Sequence, residues 1–411
     1  MDTDTIINCH IARQPIFNRR KQLFGYELLF RDGNANFCPD VDGDLATAQV
    51  LYKSILSYGF ENLTHGKPAL INFTANLLLQ DMPLLFPRGK IIVEILEDIE
   101  PSSEILEACR RLVRNGFTLA LDDFLFDERY RGLVELAGFI KIDFRATTPQ
   151  DIAQMLERMG HTQARLLAEK VETYAEFEQA MAMGFSLFQG YFFSKPEIVS
   201  GRDIRPNKAV LLGIVGEIVG AECDLGRLER LFKSDVSLSI KLLQMVNSAF
   251  YRRVGNITSI RHALSYLGCR DINRLVSMII ISDLASDKPA ELLRQSLMRA
   301  RFCEQITHLQ TEEALVDTEA FLTGLFASID AILDLPMRSV LDQLPVSETI
   351  KTALLERGNP LGELLGLAIS YEKGDWDNYA TRLQGLNLTE HTARGAYLEA
   401  IQWADAALAV L

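Results

Sequence analysis

From Ile11 to Pro196 the chain alternates short apolar runs with stretches of helical period. The runs are Leu23 to Leu29, Ala69 to Phe73, Ile91 to Leu96, Phe117 to Leu121, Phe139 to Phe144, Arg165 to Val171 and Leu187 to Phe193. Unalternated apolar runs of this length predict strands buried on both faces, as in a parallel sheet. Between them lie helical patterns such as Ser103 to Asn115, with Ile105, Leu106, Cys109, Leu112 and Val113 on one face and Gly116 as a stop. Gln150 to Met159 and Tyr174 to Met183 read the same way. The polar positions 72, 94, 122, 141, 169 and 189 recur once per strand-plus-helix unit, the rhythm of repeated βαβ connections. An α/β barrel of the TIM kind is expected.

Beyond residue 198 the strand runs stop. Ile198 to Lys208, with Ser200-Gly201 and Pro206, reads as a linker. Helical period then dominates, in Leu211 to Ala221, Leu225 to Lys233, Leu238 to Phe250, Ser259 to Leu267, Asp271 to Leu284, Ala290 to Leu309, Glu319 to Leu333, Ser347 to Leu355, Leu361 to Tyr371 and His391 to Val410. Asn359-Pro360 is a helix start, with a capping Asn and Pro at the first position. Two domains are expected, residues 1–198 as the barrel and 199–411 as an all-helical unit.

Each strand of the first half delivers one or two polar groups into an apolar run: Glu27, Asn72, Glu94, Asp122, Asp123, Lys141, Glu169 and Gln189. In a parallel barrel, such groups at the ends of several strands converge on one mouth. Four or five oxygen donors and one ammonium suit two divalent cations acting on a phosphodiester. Each residue also has a plainer reading: edge-strand charge for Glu27 or Glu94, turn former for Asn72, solvated strand end for Lys141, backbone partner for Gln189. Asp122-Asp123 alone would read as an acidic turn with a cap. Their occurrence at successive strand ends favours the joint reading.

Composition narrows the classes. The 411 residues are 48% hydrophobic and 24% charged, ordinary for a globular protein of two or three domains. The net charge of -13 argues against a nucleic-acid or anionic-membrane surface. It leaves room for an anionic small ligand, because a metal or a few Arg residues reverse a local field. Cys9, Cys38, Cys109, Cys223, Cys269 and Cys303 are scattered without C-x-x-C spacing, so neither zinc nor a disulfide framework is indicated. Met1 to Cys9 does not read as a signal peptide, and the apolar run near Met278 to Ile281 is too short to span a bilayer. A cytoplasmic protein is expected.

The ordered motifs of the first half are Gln14-Pro15-Ile16, Gly25-Tyr26-Glu27-Leu28-Leu29-Phe30-Arg31, Ile71-Asn72-Phe73-Thr74 and Val93-Glu94-Ile95-Leu96-Glu97. They continue with Leu121-Asp122-Asp123-Phe124, Ile140-Lys141-Ile142-Asp143, Ala168-Glu169-Lys170-Val171-Glu172-Thr173, Phe188-Gln189-Gly190-Tyr191 and Phe193-Ser194-Lys195-Pro196. This series resembles the EAL domains, cyclic di-GMP phosphodiesterases. The resemblance implies a TIM-like barrel with two Mg²⁺ or Mn²⁺ ions that yields the linear dinucleotide pGpG. It implies Glu27, Asn72, Glu94, Asp122 and Asp123 as metal ligands and Lys141 and Glu169 as catalytic groups. It also implies Gln14, Arg31 and Gln189 as ligand contacts and Glu172 as support for the loop after the paired aspartates. Two departures stand out. Leu28 replaces a small Ala beside Glu27, which adds bulk next to a metal ligand. The loop Phe124 to Tyr130 replaces a Gly-rich segment that in the family closes over the site and supports dimerisation, which leaves homodimerisation open.

In the second half, Lys233 to Tyr251 with Asn247-Ser248, then Ile257 to Leu264 and Leu267-Gly268, is similar to HDOD domains, helical modules related to HD phosphohydrolases. None of the six histidines is followed by Asp. Ala327-Ser328-Ile329-Asp330 stands where the parent fold carries its His-Asp. His262 and His308 then read as packed or surface groups, and Asn247 and Ser248 as bonds to helix ends. The expectation is a non-catalytic regulatory module with a protein partner. Three functions follow: a divergent barrel that binds or weakly hydrolyses cyclic di-GMP, an active phosphodiesterase, or a nucleotide-independent scaffold.

Overall fold

The computed structural model describes residues 9–32, 63–194, 225–234, 236–247, 257–310, 314–344 and 346–411. The linker Ile198 to Lys208, the helix expected over Leu211 to Ala221, Lys195-Pro196, Ser248 and the side chain of Arg31 lie outside the described residues.

The apolar runs form strands β2 (Leu23–Asp32), β3 (Ala69–Phe73), β4 (Ile91–Ile95), β5 (Thr118–Leu121), β6 (Phe139–Asp143), β7 (Arg165–Glu169) and β8 (Leu187–Gln189). One more, β1 (Cys9–Asn18), precedes them, and the eight close into a barrel in chain order. Strands β2 to β8 are parallel, whereas β1 runs antiparallel to both β2 and β8. β1 is absent from the pattern of apolar runs because Arg13, Gln14 and Pro15 interrupt it. The interruption is accommodated: Arg13 is buried, donates to the Leu63 carbonyl at 2.9 Å and lies 4.9 Å from the Tyr26 ring centre. β8 is shorter than the run that predicts it, which turns at Phe192–Ser194 into a 3-10 segment.

Helices Ala75–Leu79, Ser103–Arg114, Arg131–Leu136, Pro149–Met159 and Tyr174–Ala182 join the parallel strands. Thr74, Ser102, Thr148 and Thr173 each accept a hydrogen bond from a backbone N–H of the helix they precede. Such caps satisfy donors that a helix start leaves without partners. At Thr173 the cap is reciprocal, because the Glu176 carboxylate returns the bond.

Two compact units divide the chain, Met1–Phe193 with Glu372–Trp376 and Ser194–Tyr371 with Asp377–Leu411. The described part of the second unit is helical. Helix Ile260–Leu284 is broken at Gly268, whose φ is 71°, so the two expected segments meet at a kink. The single helix expected over Glu319 to Leu333 is two, Ala314–Leu325 and Ile329–Leu333, with a 3-10 turn between. Asn359 caps the helix beginning at Pro360 by accepting from the Gly362 N–H at 2.9 Å. Among the described residues no helix is long and apolar enough to cross a membrane.

Candidate functional site

A layer of apolar side chains fills the barrel, one from each of seven strands: Ile16, Leu70, Ile92, Ala120, Phe139, Leu167 and Leu187. Side chains alternate between the two faces of a strand, so every second residue shares the interior. Two residues further along the parallel strands come Asn72, Glu94, Asp122, Lys141, Glu169 and Gln189. On the reversed β1 the same step leads back to Gln14, whose register partner on β2 is Glu27. Strand period thus brings these groups to one end of the barrel. Leu28, one residue out of phase, is buried on the opposite face, so its added bulk is directed away from the interior.

Lys141 is the centre of this layer and is 1% exposed. Its Nζ lies 2.8 Å from Asp122 Oδ1, 2.8 Å from Glu169 Oε1 and 3.5 Å from Glu27 Oε1, and it donates to Glu94 Oε1. Burial works to lower the ammonium pKa, but the carboxylates, Glu169 foremost, outweigh it and hold the value well above the usual range. The same burial raises the Glu94 and Glu169 carboxyls well above theirs, against the attraction of Lys141. Four carboxylates face one ammonium, and a buried excess of negative charge is costly without a further cation.

The oxygens show where that cation fits. Asn72 Oδ1, Glu94 Oε2 and Asp123 Oδ1 are buried and have no hydrogen-bond partner. Carboxylate oxygens of Asp122, Asp123 and Glu169 lie within 4.8 Å of one another. All donors are hard oxygens, the set that Mg²⁺ and Mn²⁺ prefer. The residues present therefore fit a divalent cation.

Gln189 ties the first and last strands to this layer. Its Nε2 donates to Glu27 Oε2 at 2.5 Å and to Gln14 Oε1 at 2.9 Å. Gly190 follows with φ 140°, and a Cβ there would stand 2.1 Å from the Val171 carbonyl oxygen, so only glycine lets the two backbones pass. Glu172 pairs with Arg145 at 2.7 Å, in the loop after β6.

The loop after Asp123 is packed by aromatic rings. Phe124 and Phe126 are buried, with Phe124 edge-on to Phe126 at 6.3 Å and to Tyr130 at 6.0 Å. The Phe124 N–H donates to the Lys141 carbonyl at 2.9 Å, which fastens the loop to β6. Leu125 is 67% exposed. A cavity of about 410 Å³ lies beside the paired aspartates, bordered by Leu96, Glu97, Phe124, Phe126, Arg129 and Tyr130. Apolar packing orders this loop, which contains no glycine from Phe124 to Tyr130.

Two residues escaped the sequence reading. Asp143 is buried one strand step beyond Lys141, and Lys170 donates to it at 2.5 Å and lies 3.4 Å from Asp123 Oδ2. Period two along β6 was the available signal for Asp143. Lys170 stands in the quoted run Ala168 to Thr173, but its contact depends on a turn that no period reports.

In the helical unit the position corresponding to the parent His-Asp is filled differently. Buried Arg299 donates to Ser328 Oγ at 2.8 Å. Burial raises the nearby Asp330 carboxyl pKa, which Arg299 partly offsets. His262 is exposed, while His308, also largely exposed, pairs with buried Asp317 at 3.0 Å. Asn247 donates to the Leu243 and Ile257 carbonyls and accepts from the Ile257 N–H, so it fastens a helix end. Among the described residues the Asp122, Asp123 and Glu169 group is the one cluster of metal-type ligands.

The fold and the site define an EAL-type barrel followed by a helical HDOD unit. The EAL domain model matches residues 67–196 and the HDOD domain model residues 206–339. Over 408 residues the chain is 38% identical to the cyclic di-GMP phosphodiesterase CdgJ of Vibrio cholerae, covering 98% of this chain and 94% of that protein. It is 34% identical over 401 residues to the uncharacterised protein YuxH of Bacillus subtilis, covering 96% and 97%. Among solved structures, a standalone EAL protein of Vibrio cholerae O395 in its c-di-GMP-bound form is 24% identical, covers 47% of this chain and 94% of its own, and gives a TM-score of 0.38. The chain belongs to the family of EAL–HDOD proteins.

Proposed function

We propose that the barrel binds cyclic di-GMP at its polar mouth and hydrolyses it weakly, and that the helical unit, from about residue 199, is a non-catalytic module that relays this state to a protein partner. The observation that carries the barrel reading is the excess of buried carboxylate over ammonium around Lys141, together with the partnerless oxygens of Asn72, Glu94 and Asp123. Glu27, Asn72, Glu94, Asp122 and Asp123 would hold Mg²⁺ or Mn²⁺. Such ions supply positive charge that activates water and offsets charge on the phosphodiester. Lys141, held protonated by its neighbours, places a fixed positive charge where charge develops on the reacting phosphate. Glu169 orients that ammonium and accepts a proton from water. Gln189 keeps the Glu27 carboxylate and the Gln14 amide in place, and Arg31 would supply a guanidinium suited to a ligand phosphate. Glu172, whose carboxylate meets Arg145 in the loop after β6, would support the loop after the paired aspartates.

An active phosphodiesterase that releases pGpG is the second reading, and the complete oxygen set favours it. The packed loop without glycine favours weak turnover, since hydrolysis demands closer placement of water than binding does. A cytoplasmic setting accords with the scattered cysteines. The test is a single-turnover incubation with labelled cyclic di-GMP and Mn²⁺, with Glu27→Ala as control. Slow conversion to pGpG, absent in the control, is expected. Fast conversion selects the active enzyme, and neither binding nor conversion leaves a nucleotide-independent scaffold.

A further inference from the structure

Two non-glycine residues beside the carboxylate cluster adopt left-handed backbone, Asp123 with φ 35° and Lys170 with φ 54°. Side-chain residues resist this region, at a cost on the order of 1 kcal/mol each. The contact joining them is the Lys170 ammonium, which bonds Asp143 Oδ2 at 2.5 Å and approaches Asp123 Oδ2 at 3.4 Å. Asp143 is a fixed anchor, because its Oδ1 already accepts from the N–H groups of Arg145 at 2.6 Å and Ala146 at 3.0 Å. Lys170 is therefore tethered at one end and leans on Asp123 at the other. The second Asp123 oxygen, Oδ1, is buried without a partner.

We propose that Lys170 is a resident counter-charge for Asp123, which lowers the affinity of the cluster for a second divalent cation. This rests on the reading of the cluster as a metal site. A dication at the Asp123 carboxylate meets an ammonium already drawing on the same charge, so it must displace Lys170 or bind against its repulsion. The Lys170 side chain is 52% exposed, so solvent screens part of this repulsion and the effect is a weakening rather than exclusion. The inference gives weak turnover a cause apart from the loop: the chain fills one cation position readily and the other reluctantly.

The test is a Mn²⁺ titration of the full-length chain, with free Mn²⁺ followed by electron paramagnetic resonance. Wild type is expected to take one ion tightly and a second weakly. Lys170→Met, which keeps the stem and removes the charge, is expected to tighten the second ion about tenfold. Lys170→Gly removes the charge and also fits the left-handed backbone, so it guards against a misfolded Met variant and is expected to shift affinity in the same direction. Unchanged or weaker second-site binding in both variants overturns the proposal, because a merely structural lysine would lose affinity when removed. Mn²⁺ binding no stronger than in the Asp122→Asn, Asp123→Asn double variant, in every protein, overturns the metal reading itself.

Discussion

Lys141 and Arg299 are both buried cations among polar partners, and their surroundings differ in one respect. Around Lys141 stand Glu27, Glu94, Asp122 and Glu169, with oxygens nearby that no donor reaches. Beside Arg299 stand a hydroxyl and the Asp330 carboxyl, whose pKa burial raises. At the first centre four acidic side chains share one ammonium. In the second, the guanidinium is bonded to the Ser328 hydroxyl and faces the Asp330 carboxyl. A buried polar cluster alone does not point to a cation, whereas several hard oxygens without donors do.

The largest expected effect is at Lys141. Lys141→Met leaves buried carboxylates unopposed, a cost of about 3–5 kcal/mol. In chelator the barrel transition should fall by about 10 °C, and Mn²⁺ should restore much of it. A melt insensitive to Mn²⁺ would break the contrast. Arg299→Met should cost about 2–3 kcal/mol through the lost charged hydrogen bond. Differential scanning fluorimetry should show the same Mn²⁺ response as wild type, and an Mn²⁺-dependent rescue would make the two centres alike.

The third effect is of pH. Glu94 and Glu169 have folded pKa values above the ordinary 4.5. The folded barrel holds protons that the unfolded chain releases, so their ionisation penalty is absent below the ordinary value and grows as pH rises through the raised ones. Urea unfolding in chelator should lose about 1.4 kcal/mol per pH unit for each proton over that window. Mn²⁺ should flatten the slope. The smallest effect is at the half-exposed Arg145–Glu172 pair, where Arg145→Ala should change stability by no more than about 0.5 kcal/mol. A larger loss there would mean that charge pairing outside the two centres matters as much as within them.

The strand ends were legible because a carboxylate or ammonium closing an apolar run is rare and has a physical consequence. Glu94, Lys141 and Glu169 sit on strands whose other residues are apolar enough to fix the assignment. β1 was not legible, since Arg13 and Pro15 make it read as loop until the buried contacts of Arg13 are known. Lys170 was hidden for another reason. Its approach to Asp123 depends on left-handed turns after two different strands, and a sequence pattern carries no record of φ at a single residue. Arg299 was likewise invisible, because only packing places it beside Ser328.

Gln189 belongs to the last strand of the barrel, and its amide joins Glu27 and Gln14 on the first two. During synthesis, β1 and β2 emerge long before the strand that must seal against β1. A nascent chain shorter than that strand has an open sheet edge and a Glu27 carboxylate without its amide donor. Barrel closure and completion of the polar mouth thus depend on the same strand. A ribosome stalled before Gln189 would hold a chain with most of the acidic groups but an unclosed barrel.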